Sequence, residues 1–333
     1  MLESASFLES VSLSHYRIAV MIPCRNEEVT IAKVVTSFKT YLPESQIYVY
    51  NNRSTDDTVT QAQKAGAIVR HETKPGKGNV VRRMFADLDA DIYILIDGDD
   101  TYEISAVRRL IERLINEQLD MVVGARRASA NLLGEAYRPG HRAGNLLLTG
   151  LVKVLFNTHL DDMLSGYRIF SRRFVKSFPA LSNGFETETE LTIHTLELKL
   201  PFAEEPTVYG SRPPGSESKL QTFADGWRVL GTAILLFKEI RPFLFFGIIA
   251  ALLALIALLL AAPLVITFLE IGLVPRFPTA ILSASIIMLS FLSLTSGVVL
   301  DSVARGRREV KRMAYLSLPV LESAKLGQNF THR

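Results

Sequence analysis

The chain has 333 residues, of which 48% are hydrophobic and 21% are charged, and its formal net charge at neutral pH is +3. The mean hydropathy of +0.21 is high for a water-soluble protein, and the apolar excess lies after residue 241, which excludes a simple soluble enzyme, a disordered chain and a many-pass transporter. The small net charge argues against a nucleic-acid partner, and the single cysteine, Cys24, excludes an internal disulfide and a cysteine-rich zinc site.

Residues 17–220 are expected to form one α/β domain, because short apolar runs alternate with stretches of helical periodicity. The predicted strands lie at 18–23, 46–50, 67–70, 92–96 and 121–124. The predicted helices lie at 28–41, from the turn at 54–57 to residue 65, at 77–88 and at 105–117. This alternation predicts a mainly parallel sheet with helices on both faces, and ligands at the carboxyl ends of its strands.

Residues 221–241 carry an apolar stripe at helical spacing. The stripe consists of Phe223, Trp227, Leu230, Ile234 and Phe237, which follow one another at intervals of four and three. The tryptophan and the neighbouring basic residues favour an amphipathic helix that lies on the cytoplasmic face of a membrane. An amphipathic helix packed on the preceding domain is the alternative.

Two stretches in residues 242–300 are long and apolar enough to cross a bilayer. Residues 242–269 and 277–300 contain no charged residue, and about 20 apolar residues suffice to span the hydrocarbon. Only a short connector separates the two stretches, so we expect two transmembrane helices in a hairpin. A helical pair buried in a soluble dimer is the alternative.

Basic residues flank the outer ends of the hairpin. Lys238 and Arg241 precede it, five basic residues follow between 305 and 312, and the connector has only Arg276. This asymmetry predicts that both termini are cytoplasmic and that residues 301–333 form a basic cytoplasmic tail. Residues 1–16 are read as an N-terminal extension, because they lack the apolar core and cleavage site of a signal peptide. We therefore expect a protein of the inner membrane whose domain faces the cytoplasm.

Polar clusters follow three of the predicted strands, at 25–27, 51–53 and 97–100. Asp97 and Asp99 are separated only by Gly98, and two carboxylates at a strand end can hold Mg²⁺ together with substrate phosphates. A solvated acidic turn is the alternative, but the buried strand and the other polar strand ends favour a metal. Lys77 lies between two glycines at the start of a predicted helix, where backbone N–H groups suit phosphate, although a surface turn would look the same. The chain has neither a Walker pattern here nor a GxGxxG motif, which argues against a P-loop NTPase and a nicotinamide enzyme.

Five segments of this chain occur together in a known family. They are IPCRNEE at 22–28, NNRSTD at 51–56, GKG at 76–78, DGD at 97–99 and SGYR at 165–168. In this set the chain resembles the family-2 inverting glycosyltransferases, which have the GT-A (nucleotide-diphospho-sugar transferase) fold. Within that family it is most similar to the polyprenyl-phosphate glycosyltransferases of the dolichyl-phosphate mannose synthase group, in particular to bacterial members with a two-helix hairpin. The resemblance covers about residues 17–220, and the hairpin by architecture.

The resemblance implies a sugar-nucleotide donor and a divalent metal. The donor-binding residues would be Pro23, Arg25, Glu27, Asn51, Asn52, Lys77, Asp97 and Arg212. Asp97 and Asp99 match the DxD motif and would hold Mg²⁺ or Mn²⁺ on the donor diphosphate. Asn51 and Asn52 stand where the family usually has an aspartate pair, which leaves uridine and guanosine donors open, because an amide offers both a donor and an acceptor.

The resemblance also implies a polyprenyl phosphate acceptor, such as undecaprenyl phosphate, and transfer of a single hexose-type sugar with inversion. Arg138 and Arg142 are the candidates for binding the acceptor phosphate, with Arg126 nearby; anionic lipid headgroups are an alternative ligand for the first two. Asp162 matches an acidic position near the sugar, so the predicted catalytic set is Asp99, Asp162 and Arg126. The product would serve modification of a cell-envelope glycan or glycolipid.

Two other functions stay open at this point. A processive polysaccharide synthase would share the domain, but the chain lacks the QxxRW-type motif and the additional membrane helices of such enzymes. A membrane-anchored scaffold that binds a sugar nucleotide without turnover would explain the unusual Asn51-Asn52 pair. The apolar hairpin also invites helix–helix packing, so a homo-oligomer is expected.

Overall fold

A seven-stranded mixed sheet forms the centre of the N-terminal region. The computed structural model describes residues 12–128, 149–158, 160–181, 187–213, 231 and 234–321. The strands are β1 Ile18–Cys24, β2 Gln46–Asn51, β3 Ile68–His71, β4 Ile92–Leu95, β5 Met121–Ala128, β6 Arg168–Ser171 and β7 Phe202–Tyr209. Their order across the sheet is β3-β2-β1-β4-β6-β5-β7, and only β6 runs antiparallel to its neighbours. The predicted fold class is confirmed.

Helices cover both faces of this sheet. The helices of the domain are α1 Ile31–Tyr41, α2 Thr58–Lys64, α3 Lys77–Asp87, α4 Val107–Asn116, α5 Arg172–Ser177 and α6 Thr187–Leu198, with 3₁₀ turns at Leu13–His15 and Ile104–Ala106. A further helical stretch covers residues 149–156. The five predicted strands and four predicted helices are confirmed with small shifts of their ends. The strands β6 and β7 were not predicted.

Strand β1 shows why the apolar runs are continuous. Val20 and Ile22 belong to a core that includes Phe38 of α1 and Leu110 of α4. Their neighbour Met21 belongs to a second core on the opposite face, which includes residues of α3 and α5. Because successive side chains of a strand point to opposite faces, a strand covered on both sides must be apolar at every position. The polar residues begin only where the strand ends.

The chain divides into two compact units, residues 1–223 with 311–333 and residues 224–310. The second unit contains most of two long helices, α7 Pro242–Ile271 and α8 Phe277–Leu316. Both are long and apolar enough to cross a membrane, by length and composition, and only 11% of the most apolar 18-residue window of each is buried. Ahead of them, residues 234–240 are helical, whereas Phe223, Trp227 and Leu230 of the predicted amphipathic stripe lie outside the described residues.

Small residues form the contact between α7 and α8. Ala250 and Ala257 of α7 are buried seven residues apart, and so are Ser283 and Ser290 of α8. The two serine hydroxyls donate hydrogen bonds across the pair, to the carbonyl oxygens of Ala257 at 2.9 Å and of Ala250 at 2.7 Å. Gly297 continues the series, and a Cβ there would lie 3.0 Å from the Cβ of Phe246. The spacing of seven keeps one face of each helix against the other.

The last residues of α8 belong to the first unit. Lys311 pairs with Glu197 at 2.9 Å, and Arg312 donates to the carbonyl oxygen of Leu198 at 2.7 Å. The Tyr315 hydroxyl donates to the buried carboxylate of Asp120 at 2.7 Å. The segment predicted as a cytoplasmic tail is therefore helical as far as Leu316, and its residues 311–316 pack on the α/β domain.

Candidate active site

The loops that follow β1 and β2 are joined by hydrogen bonds. Asn26 donates its backbone N–H to Ser54 Oγ at 3.0 Å and accepts from the backbone N–H of Thr55 at 2.9 Å. The backbone N–H of Glu27 donates to Thr58 Oγ1 at 2.8 Å. These bonds fix the positions of the predicted donor residues in the first loop: Pro23 and Glu27 are half-buried, and Arg25 is exposed. The two polar strand ends thus form one surface, as the parallel sheet predicts.

The side chains of Asn51 and Asn52 are buried and hydrogen-bonded within the protein. The Asn52 amide donates to the carbonyl oxygens of Glu72 and Lys74, at 3.0 and 2.7 Å, and its oxygen accepts from the backbone N–H of Gly76 at 2.8 Å. Asn51 accepts from the backbone N–H of Ser54 at 3.0 Å and bonds the ring of His71. The side chain of Asn52 therefore shapes the loop that leads to Lys77, a role that the sequence pattern did not indicate.

Lys77 lies between two carboxylates. Its Nζ is 2.5 Å from Asp97 Oδ1 and 2.6 Å from Glu188 Oε1. Burial acts to lower the pKa of this ammonium, but the charges of Asp97 and Glu188 prevail and raise it above its usual value. Lys77 is consequently a fixed positive charge at the end of β4, beside the first aspartate of the DGD segment.

Asp99 is buried deeper than Asp97. Its Oδ1 accepts from the hydroxyl of Thr101 at 2.6 Å, and its Oδ2 pairs with the guanidinium of Arg212 at 2.7 Å. Burial raises the pKa of Asp99 and the charge of Asp97 raises it further, whereas the Thr101 hydrogen bond and the charge of Arg212 offset only part of this rise. The adjacent Asp100 pairs with Lys33 of α1 at 2.6 Å. Asp99, predicted to hold the metal, and Arg212, predicted to bind the donor, are thus in direct contact.

Two glycines, Gly98 and Gly166, allow the backbone to pass close to side chains at the ends of β1 and β4. A Cβ on Gly98 would lie 2.7 Å from the sulfur of Cys24, and a Cβ on Gly166 would overlap the carboxylate of Asp97 and lie 3.1 Å from its Cγ. The backbone N–H of Gly166 donates to the buried Tyr102 hydroxyl at 2.8 Å. The SGYR segment therefore forms one wall of the site. In the sequence, only the family resemblance pointed to that segment.

Arg126 and Asp162 form a bidentate ion pair. Arg126 donates from Nε and Nη2 to the two carboxylate oxygens of Asp162, at 2.7 and 2.8 Å, and its guanidinium lies over the ring of Tyr209. Burial acts to raise the pKa of Asp162, but the Arg126 hydrogen bonds outweigh it and lower the pKa below the usual range. Glu204 on β7 accepts the backbone N–H of Asp162 at 2.9 Å. The pair predicted as catalytic is present as a preformed ionised unit.

Arg168 supports this wall from within the core. It is completely buried, and it donates to the carbonyl oxygens of Ser165 and Met163 and to the hydroxyl of Thr192 at 3.0 Å. An arginine placed among backbone carbonyls fixes the turn between Asp162 and Gly166 rather than contacting a ligand. Arg138 and Arg142, the candidates for binding the acceptor phosphate, lie outside the described residues.

The carboxylate oxygens at the end of β4 are suitable ligands for a hard divalent cation. Asp97 and Asp99 supply carboxylate oxygens, which Mg²⁺ and Mn²⁺ prefer. Within the described part of the chain, no group of three or more histidine, cysteine, aspartate or glutamate side chains could hold a metal by itself. A cation here would need further oxygen ligands from a substrate, and a diphosphate offers them.

Comparison with known proteins assigns the family. Residues 19–178 match the model of glycosyl transferase family 2. The glycosyltransferase AglJ of Haloferax volcanii is 30% identical over 236 residues, which cover 69% of this chain and 75% of that protein. The dolichyl-phosphate hexose transferase of the same organism is 28% identical over 209 residues, 63% of this chain and 89% of that protein.

A solved structure supports the same assignment. The glucosyl-3-phosphoglycerate synthase of Mycobacterium tuberculosis, in complex with phosphoglyceric acid, superposes with a TM-score of 0.53 at 26% identity. The match covers 67% of this chain and 80% of the synthase. The match to the family model, residues 19–178, includes the strands and loops that carry Asp97 and Asp99. The chain therefore belongs to glycosyl transferase family 2, and it is a glycosyltransferase.

Proposed function

We propose that this enzyme transfers one hexose-type sugar from a nucleoside-diphosphate sugar to a polyprenyl phosphate, with inversion at the anomeric carbon. The reaction takes place at the cytoplasmic leaflet of the inner membrane and yields a lipid-linked monosaccharide for modification of a cell-envelope glycan or glycolipid. One observation carries the proposal: the same chain combines a site of paired carboxylates and cations with two helices apolar enough to cross a bilayer. A long isoprenoid stays in the bilayer, so an enzyme that uses it must work beside the lipid surface.

The donor diphosphate binds at the end of β4 in this proposal. Asp97 and Asp99 would hold Mg²⁺ or Mn²⁺, which when bound would supply positive charge for the departing nucleoside diphosphate. Lys77 and Arg212 lie beside these two carboxylates and add positive charge for the phosphate oxygens. The Thr101 hydroxyl orients Asp99. Pro23, Arg25, Glu27 and Asn51 remain our candidates for contacts with the nucleoside, on the joined loops after β1 and β2.

The acceptor phosphate needs little activation. It is already an anionic nucleophile at neutral pH, so the site must bring two phosphate-bearing substrates together rather than remove a proton. Arg126 holds Asp162 ionised and in one orientation, in which the carboxylate can accept hydrogen bonds from sugar hydroxyls. Arg138 and Arg142 stay our candidates for the acceptor phosphate.

The relatives support this choice of substrates. The dolichyl-phosphate hexose transferase is named for a lipid phosphate and a hexose. The mycobacterial synthase has been solved with uridine-diphosphate and with phosphoglyceric acid, a nucleotide and a phosphate-bearing acceptor. Phosphoglyceric acid is water-soluble, so it serves in the test as the alternative to a lipid acceptor.

The test is a transfer assay with the purified full chain in detergent. Radiolabelled uridine- and guanosine-diphosphate sugars are offered with either undecaprenyl phosphate or 3-phosphoglycerate, with and without Mg²⁺. We expect metal-dependent label in the organic phase and, by mass spectrometry, one sugar per lipid. Transfer only to phosphoglycerate would refute the lipid acceptor, a ladder of sugars would indicate a polysaccharide synthase, and binding without turnover would indicate a scaffold.

The metal role has its own matched pair of variants. Asp99→Asn removes a ligand charge and is expected to lower the transfer rate by about 100- to 1,000-fold, the usual loss when one group that stabilises transition-state charge is removed. Asp100→Asn is the control, because Asp100 pairs with Lys33 outside the proposed metal site. Its backbone has a positive φ of 56°, a conformation that asparagine adopts as readily as aspartate. Equal activity of the two variants would contradict the proposed metal site.

The orientation of the chain in the membrane can be tested by cysteine labelling, because Cys24 is the only cysteine and is buried. In a Cys24→Ser background, Leu273→Cys places an exposed thiol in the connector, and Tyr41→Cys places one on the domain. A membrane-impermeant maleimide added to spheroplasts should label position 273 and spare position 41 until the cells are lysed. The reverse pattern would overturn the proposed topology.

A further inference from the structure

Glu188 is the least expected residue of the site. It lies in the first turn of α6, whereas Lys77 begins α3 and Asp97 follows β4. The side chains of Lys77 and Glu188 are only 11% and 7% exposed, while that of Asp97 is 29% exposed. The ammonium group therefore has one partner inside the protein and one that faces the proposed donor site.

The helix that carries Glu188 is held by contacts that do not involve Lys77. In the segment that ends at Leu181, Ala180 accepts a hydrogen bond on its carbonyl oxygen from Arg82 of α3 at 2.7 Å. The backbone N–H of Leu181 donates to Glu190 at 2.8 Å. On the inner side of α6, Thr192 accepts a hydrogen bond from the buried Arg168. The carboxylate of Glu188 is therefore presented by a supported helix rather than by the Lys77 side chain.

A buried lysine with a single carboxylate partner binds that partner tightly, because removing one member of a buried pair leaves an uncompensated charge. If Asp97 were the only partner, the ammonium would compete directly with a divalent cation for the same oxygens. With Glu188 present, Lys77 has a second anion and need not depend on Asp97. The geometry thus offers a way to keep a cation-binding carboxylate available next to a permanent positive charge.

We propose that Glu188 is a positioning residue that draws the Lys77 ammonium away from Asp97 when the metal and the donor bind. Lys77 then stays beside the diphosphate as a phosphate-binding charge, and Asp97 is released to the cation. This inference rests on the proposed function, since it takes Asp97 as a metal ligand. It assigns to Glu188 an effect on cation affinity, exerted through Lys77.

The test measures Mn²⁺ binding rather than turnover. The full chain in detergent is titrated with Mn²⁺ in the presence of UDP and, separately, of GDP, and free Mn²⁺ is followed by electron paramagnetic resonance. Glu188→Gln keeps the shape and removes the charge. We expect it to raise the Mn²⁺ dissociation constant about tenfold, the size expected for one charge-assisted contact. In the transfer assay kcat at saturating metal should stay within about threefold of wild type, because Glu188 contacts no reacting atom.

Glu197→Gln is the matched control. It removes a glutamate of the same helix that also pairs with a lysine, Lys311, outside the proposed site. A double-mutant cycle then isolates the mechanism: in a Lys77→Gln background, Glu188→Gln should no longer change Mn²⁺ affinity. A shift that persists there, or an equal shift in Glu197→Gln, would overturn the proposal and leave Glu188 a purely structural residue.

The remaining outcomes are also decisive. Should Glu188→Gln not fold, Glu188→Asp keeps the charge but moves it back by one methylene, and an intermediate loss of about threefold is expected. An unchanged constant in Glu188→Asp would then reject the inference. If wild-type protein binds no Mn²⁺ with either nucleotide, the proposed function itself fails. If wild type binds and Glu188→Gln binds equally well, only the role of Glu188 fails.

Discussion

The core of the α/β domain and the interface of the α7–α8 hairpin are built from opposite kinds of residue. The domain buries large side chains such as Phe38, Tyr93 and Phe170 completely. The hairpin buries alanine and serine, while Leu258 and Phe291 on its outside are 63% and 69% exposed. In water, burial of large apolar groups is the main driving force, whereas in lipid that force is absent and close backbone packing replaces it. This contrast fits the proposed membrane location of the hairpin.

The buried polar groups differ in the same way. The domain buries charges, and those of the proposed site have opposite charges beside them, as in Lys77 with Glu188 and Asp99 with Arg212. The apolar stretches 242–269 and 277–300 contain no charged residue, and the serines in their contact donate to backbone carbonyls. Isolated charges are expensive in either interior, and the paired charges of the domain suit the phosphate groups of its proposed substrates.

The largest expected effect comes from replacing a phenylalanine by alanine, once in the α/β domain and once in the hairpin. Phe174→Ala removes a buried ring that stacks on Phe170 at 4.7 Å, and it should lower the free energy of unfolding by about 3–5 kcal/mol. Phe291→Ala on the outside of the hairpin should cost under about 0.5 kcal/mol, because no tight packing is lost. Urea titrations of the full chain in detergent, followed by circular dichroism, measure both. Similar losses would contradict the proposed membrane location of the hairpin.

The second test concerns glycines at close contacts. Gly166→Ala directs a methyl group at the carboxylate of Asp97, and a displacement of about 1 Å in a catalytic group costs on the order of 100-fold in rate. Gly150→Ala is the control, since a Cβ at that helical position meets no atom within 4 Å. The transfer assay should therefore separate the two variants, while their urea midpoints stay similar. An active Gly166→Ala enzyme would show that Asp97 need not stay where it lies.

Much of this arrangement could be predicted from the sequence. Continuous apolar runs predicted β1, β2 and β4. The polar residues that follow these runs predicted the edge of the sheet where the site lies, because a strand covered on both faces becomes polar only where it ends. The pair Asp97 and Asp99 followed from that pattern. The family resemblance added Arg126, Asp162 and Arg212, which lie too far apart in the chain for any local pattern to connect them.

The remaining features depend on tertiary contacts that leave no periodic signal. Strand β6 has four residues and runs antiparallel between β4 and β5, so its neighbours are set by topology rather than by its own sequence. Glu188 alternates in the sequence with Glu186 and Glu190, and only the position of α6 distinguishes it. Asn52 was predicted to touch the nucleotide, and its hydrogen bonds to the 72–76 loop become visible only when β2 and that loop are placed together.

Acid should act on the domain and spare the apolar stretches of the hairpin, which have no titratable side chain. His194 packs between Phe174 and Phe178, and burial, together with the charge of Lys311, lowers its pKa to about 3. The unfolded chain binds a proton at this residue near pH 6.5 and the folded chain does not, so stability falls as the pH drops from 6.5 towards 3. At pH 5 this single group should cost about 2 kcal/mol relative to pH 7.

His194→Gln isolates that contribution. The variant is neutral at both pH values, so its loss of unfolding free energy between pH 7 and pH 5 should be smaller than that of wild type by about 2 kcal/mol. Urea titrations at the two pH values give the difference directly. An identical pH dependence in wild type and variant would mean that His194 is already protonated in the folded protein or reaches water.

The smallest expected effect tests the hairpin itself. Ser290→Ala removes the hydroxyl that donates to Ala250 on the facing helix, and hydrogen bonds of this kind between membrane helices contribute about 0.6 kcal/mol. Ser285→Ala is the control, because the Ser285 hydroxyl bonds only the carbonyl oxygen of Ile281 in its own helix. Dyes on cysteines introduced at Leu244 and Leu300, in a Cys24→Ser background, report helix separation during titration with SDS. A shift for Ser290→Ala alone indicates that the serines hold the pair together, whereas equal shifts would attribute the hairpin's stability to the close packing of Ala250, Ala257 and Gly297.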